Sequence, residues 1–151
     1  MKNFQNINEI LDFAIEQEQA AYDFYTKLAN QASTKQMKET FSAFAKEEAK
    51  HKQRLEEVKA TGKYKADETD IINMKISDYL VRSEVSENMS YQDALILAMK
   101  REKAAFKLYM KLHDITDDED MKILFKNLAN EEAKHKMNFE LEYDDVIYKD
   151  N

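Results

Sequence analysis

Shifted along itself by 84 residues, this chain aligns without a gap, and between Ala14 and Lys52 17 of 39 positions are identical to those 84 further on. The run Glu47-Glu48-Ala49-Lys50-His51-Lys52 returns as Glu131-Glu132-Ala133-Lys134-His135-Lys136. One structural unit is therefore used twice. Two copies of a unit imply an approximate twofold axis, and side chains repeated in both copies can converge on it.

The unit reads as a helical hairpin. Proline is absent and glycine occurs once, at Gly62, so almost nothing interrupts a helix, whereas tight strand turns would lack their usual residues. Four helices follow from the spacing of apolar residues, with starts near Asn8, Ser33 or Thr34, Ser90, and the acidic stretch Asp117 to Asp120. Short polar turns at Asn30 to Thr34 and Asp114 to Asp118 make each pair an antiparallel hairpin, one over about 8–59 and one over about 90–142. The connection between them, about 60–89, is long enough to run back along a helix of about 25 residues, some 38 Å at 1.5 Å per residue. The expectation is an all-α, four-helix bundle of two duplicated hairpins with one long crossover, forming a single domain over 1–151.

Each apolar stripe is interrupted by a carboxylate. The first helix reads Leu11, Ala14, Glu18, Ala21, Tyr25, Leu28, and the third reads Leu95, Ala98, Glu102, Ala105, Tyr109, Leu112. The second carries Glu48 and His51 between Phe44 and Leu55, and the fourth carries Glu132 and His135 between Leu128 and Phe139. A buried charge costs several kcal/mol unless it is compensated, and no Lys or Arg lies on these stripes. Two divalent ions would close the balance, their charge cancelling that of four carboxylates while two neutral imidazoles donate nitrogen. Residues three apart share a helix face, so Glu48 with His51 reaches one ion and Glu132 with His135 the other, with Glu18 and Glu102 completing or bridging the pair. Carboxylates with one imidazole per metal suit iron or manganese; zinc also binds such ligands.

These positions resemble the ferritin-like di-iron carboxylate family, and within it the rubrerythrin-type proteins, over both hairpins from about Leu11 to Phe139. That family's ligand set, a Glu from each of two helices and Glu-x-x-His from each of the other two, is a known pattern matched here. The resemblance implies that Glu18, Glu48, His51, Glu102, Glu132 and His135 ligate two iron ions. It also implies supporting roles for Tyr25 and Tyr109, each seven residues after its helix's Glu. The activity it implies is oxidoreductase chemistry of an oxidative-stress type, reducing hydrogen peroxide or O₂ with electrons from an external donor protein. A homodimer is implied as well.

Two departures qualify the match. Typical rubrerythrins add a glutamate three residues after the third-helix Glu, where this chain has Ala105, matched by Ala21 in the first copy. The resulting six-ligand set also occurs in ferroxidase centres of bacterioferritin type, so an iron-sequestering ferroxidase stays open, as does a bundle merely stabilised by metal. Rubrerythrins commonly carry a rubredoxin segment, and this chain contains no cysteine to build one.

Other features bear on what the chain does not do. A net charge of −7 with no dense basic block argues against nucleic acid. The start, Met1 to Asn6, has no signal-peptide core, and the longest apolar run, Ala94 to Met99, is too short for a bilayer, so the expected location is cytoplasmic. Glu47 and Glu131 sit about 100° around the helix from the ligand stripe and read as rim residues. His113 lacks a repeated partner, its counterpart being Ala29, and reads as helix-end chemistry. Met37, Met99, Met121 and Met137 read as packing residues.

Overall fold

The computed structural model describes residues 3–81 and 89–150, with helices α1 (Ile7–Gln31), α2 (Lys35–Thr61), α3 (Glu68–Ile72), α4 (Tyr91–Ile115) and α5 (Glu119–Asp150). Local chemistry sets each start. Side-chain oxygens of Asn6, Thr34, Ser90 and Asp118 accept the backbone N–H three residues on, supplying partners that the first turn of a helix lacks. The α1 cap is Asn6, two residues before the Asn8 expected from the apolar spacing, because Ile7 already packs against the core. At the end of α2, Gly62 takes the left-handed conformation (φ 65°) and returns its N–H to Val58.

Only Ala32 to Thr34 separate α1 from α2, and only Thr116 to Asp118 separate α4 from α5, so each pair is an antiparallel hairpin with an extensive packed seam. One apolar cluster joins Leu11 and Ala14 near the start of α1 to Leu108 and Leu112 near the end of α4, with Leu55 of α2 and Phe125 of α5. A second joins Phe24 and Leu28 to Leu95 and Ala98, with Phe41 and Phe139. Helices α1 and α4 therefore run antiparallel. Between the two clusters, at mid-bundle, lies a layer of polar side chains.

The crossover spans the bundle from one apolar cluster to the other. Its first part contains α3 and a single 3₁₀ turn, Ile76–Asp78, and seats Tyr64, Ile71, Met74 and Tyr79 on the first cluster, while Val81 and Met89 meet the second. Phe4 docks beside it, its N–H bonded to the Met74 carbonyl at 3.2 Å. Residues 82–88 of the expected crossover lie outside the described residues.

Two expectations need correction. Helix α5 continues to Asp150 instead of ending near 142, because Tyr143 and Val146 still pack on the second cluster and Glu142 accepts a 2.6 Å hydrogen bond from the Tyr91 hydroxyl at the start of α4. Met137 is 62% exposed, so it is no packing residue, whereas Met121 is buried and Met37 and Met99 lie partly buried against the core. Among the described residues no helix is long and apolar enough to cross a membrane.

Candidate metal centre

Glu18, Glu48, His51, Glu102, Glu132 and His135 all lie in the mid-bundle layer, each no more than 2% exposed. Helical periodicity brings them there: each replaces an apolar residue on the stripe its helix turns inward, and the hairpins then close over them. They form two overlapping groups, Glu18, Glu48, His51 and Glu132 on one side and Glu48, Glu102, Glu132 and His135 on the other. Within each group one candidate ligand atom per residue lies within 4.8 Å of all the others. Glu48 and Glu132 belong to both. Glu18 and Glu102 each belong to one group, an arrangement in line with the first of the two roles expected for them, completing a site, and not with the second, bridging.

The inward atoms are arranged around space, not around each other. His51 Nδ1 stands 3.0 Å from Glu132 Oε1, 3.4 Å from Glu48 Oε1 and 3.5 Å from Glu18 Oε2. His135 Nδ1 stands 3.3 Å from Glu48 Oε1, 3.7 Å from Glu102 Oε1 and 3.9 Å from Glu132 Oε1. None of these approaches has hydrogen-bond geometry, and Glu18 Oε2, Glu48 Oε1, Glu102 Oε2, Glu132 Oε1 and both Nδ1 atoms are buried without a hydrogen-bond partner. Buried polar atoms are rarely left so, and six of them gathered in two groups are a donor set that could hold metal. The residues present therefore fit a bound metal.

The outward atoms, by contrast, are held. Each imidazole donates from Nε2 to a carboxylate on the facing hairpin: His51 to Glu131 and His135 to Glu47. With the proton on Nε2, Nδ1 is left as the donor to a metal, and the ring orientation is fixed. The two rings lie nearly parallel, 14° apart in tilt with centroids separated by 6.4 Å. The Tyr109 hydroxyl donates to Glu18 Oε1 at 2.5 Å and the Tyr25 hydroxyl donates to Glu102 Oε1. Every one of these supports crosses between the hairpins.

Glu47 and Glu131 are thus not passive rim residues. Reading one helix at a time placed them off the ligand stripe, as they are, but a histidine from the facing hairpin reaches out to them. Their recurrence in the repeat was the available signal. His113 is correctly outside the cluster, bonded to its neighbour Asp114 at 2.9 Å.

Burial and mutual repulsion push the carboxyls of Glu18, Glu48 and Glu102 up, Glu132 being the main repelling neighbour in each case. Burial also acts to raise Glu132, but the neighbouring His51, Glu48 and His135 outweigh it and hold its carboxyl below the usual carboxylate range. For the histidines burial alone would lower the pKa, yet Glu132 and Glu18 lift His51 to about 11, and Glu102 and Glu132 lift His135 to about 9. Burial keeps the Tyr25 and Tyr109 hydroxyls protonated, so they remain donors. Without metal, the layer neutralises its charge with protons; cations would displace them.

On the side of the layer facing α1 and α4 is a cavity of ≈ 20 Å³ bounded by Glu18, Glu102, Ala21, Ala105, Gln17 and Arg101. That is room for about one or two water molecules. The small Ala21 and Ala105 side chains leave it open where a glutamate would fill it.

A helical bundle with a buried carboxylate and histidine layer defines a class, and comparison with known proteins narrows it. The rubrerythrin family model matches residues 9–143, and the chain belongs to that family. A hypothetical protein from Pyrococcus furiosus has the same fold (TM-score 0.73, 23% identity, 98% of each chain covered). So does a protein from Thermotoga maritima provisionally described as a ferritin-like diiron-carboxylate protein (TM-score 0.75, 19% identity, 92% of this chain and 95% of that chain covered). No match was found among curated proteins.

Proposed function

We propose that this chain binds two iron ions in the mid-bundle layer and reduces hydrogen peroxide or O₂ with electrons delivered by an external donor. The observation that carries the reading is the set of six buried, unbonded donor atoms divided into two groups that share Glu48 and Glu132. His51 and Glu18 would hold one ion, His135 and Glu102 the other, with Glu48 and Glu132 spanning both. Two irons would supply the electron pair that the reduction of a peroxide consumes.

The protein's own part is positional. Tyr25 and Tyr109 fix Glu102 and Glu18 by hydrogen bonds while leaving the second oxygen of each carboxylate free. Glu47 and Glu131 hold the imidazoles in one tautomer. The apolar clusters above and below keep bulk water out. The cavity beside Ala21 and Ala105 admits a molecule the size of peroxide to the face between Glu18 and Glu102. The chain contains no cysteine for an iron–sulfur centre of its own, which supports an external donor in this reading.

Metal analysis after anaerobic loading with Fe²⁺, followed by absorption spectra before and after peroxide, tests the reading. The expected result is two irons per chain and a spectral change on oxidation, both lost in Glu48→Ala and Glu132→Ala. Two irons retained in either variant would refute the ligand assignment. Tightly held zinc with no response to peroxide would refute the redox role.

A further inference from the structure

Besides the six inward atoms of the layer, one other side-chain atom among the described residues is buried without a hydrogen-bond partner: Arg101 Nε. Arg101 lies on the cavity wall, one residue before Glu102, and its guanidinium carbon sits 5.3 Å from the centroid of the Phe24 ring. Among the described residues no carboxylate forms an ion pair with it, although four buried glutamates stand in the adjacent layer. An arginine beside such a cluster would ordinarily pair with one of them, since a bidentate guanidinium–carboxylate contact is a strong interaction. Here the Phe24 face holds it aside.

The repeat sharpens the point. Glu18, Ala21 and Tyr25 are matched by identical residues at 102, 105 and 109, but the counterpart of Arg101 is Gln17, which lines the same cavity. The cavity therefore has a cation on one wall and a neutral amide on the other. With two divalent ions bound, the four carboxylates and the metals cancel, so Arg101 would leave the cavity with a net positive charge.

We propose that Arg101, assisted by Gln17, makes this cavity a binding site for a small monoanion of two or three heavy atoms, presented to the metals between Glu18 and Glu102. The proposal rests on the two-metal reading above and adds the class of ligand that the cavity selects. Peroxide in its singly deprotonated form belongs to that class; neutral O₂ does not. The Arg101 N–H groups give an anion a charge-assisted contact, the Gln17 amide a neutral one, and Ala21 and Ala105 leave the room.

The test uses the intact protein loaded anaerobically with Fe²⁺, with azide as anionic probe and nitric oxide as neutral probe, and affinities measured by titration. Arg101→Gln, which copies the residue of the other half, is expected to weaken azide by about tenfold, the loss of one charge-assisted contact, while nitric oxide affinity and metal content stay unchanged. Arg101→Lys should recover part of the azide affinity, and Gln17→Arg should tighten it. Equal azide affinity in wild type and Arg101→Gln would overturn the proposal, as would parallel loss of azide and nitric oxide, which would mean a distorted centre. A wild-type chain that takes up no iron would instead overturn the two-metal reading itself.

Discussion

Replacing Glu47 with Gln tests how far the hairpins depend on each other's supporting groups. Glu47 accepts the Nε2 proton of His135 from the facing hairpin, and its side chain is 47% exposed. Removing such a carboxylate behind a metal-binding imidazole typically weakens metal by 10–100-fold, because the ring loses both its orientation and part of its basicity. Half exposure screens the charge, and the Gln amide oxygen can still accept the proton, so the low end applies: about tenfold, or about 1.4 kcal/mol of binding. Competition for Fe²⁺ against a coloured chelator under nitrogen measures it. Glu131→Gln should show a loss of similar size through His51, since Glu131 is 39% exposed. Glu56→Gln, on the exposed face of α2, is the control and should show none. Wild-type affinity in both Glu47→Gln and Glu131→Gln would refute the argument that these contacts orient the ligands.

Metal loading should strengthen as pH rises. His51, with a pKa near 11, His135, near 9, and the raised carboxyls of Glu18, Glu48 and Glu102 hold protons that cations must expel, so lowering the pH favours the competing proton. Calorimetry in two buffers of different ionisation enthalpy should detect proton release, and affinity that is flat from pH 6 to 8 would contradict the sign. Tyr109→Phe removes the donor to Glu18 and should cost the metal-free protein about 1–3 kcal/mol in urea unfolding, by leaving a buried carboxylate oxygen unpaired. Phe139→Ala, at the meeting of Tyr25, Phe41 and Phe44, should cost about 3–5 kcal/mol in the same assay. Gly62→Ala should cost about 1–2 kcal/mol through backbone strain alone, because a Cβ there meets nothing within 4 Å.

Much of the bundle could be read from the chain because helix periodicity and the 84-residue repeat are both local patterns. They located Glu18, Glu48, His51, Glu102, Glu132 and His135 on inward faces without any knowledge of how the helices meet. What escaped depends on how they meet. The placing of Glu48 and Glu132 in both groups depends on how the two hairpins come together, which no single-helix pattern encodes. The contacts of Glu47 with His135 and of Glu131 with His51 span 88 and 80 residues of sequence. The extra length of α5 rests on Tyr91, Tyr143 and Val146, whose partners lie on other elements or in the second apolar cluster. Nothing in the sequence singles out Arg101, because only the folded chain shows the cavity it borders.

The crossed supports also explain which positions the two halves still share. Tyr25 steadies Glu102 while Tyr109 steadies Glu18, and Glu47 and Glu131 trade histidines in the same way. A change in one half is therefore felt by a residue of the other, and the damage cannot be confined to the copy in which it arose. Free to diverge elsewhere, as at Gln17 and Arg101, the copies keep each other in step where they touch. Neither hairpin carries a finished half of the proposed centre, so docking of the two is what brings its groups together, and a misregistered docking would separate them all at once.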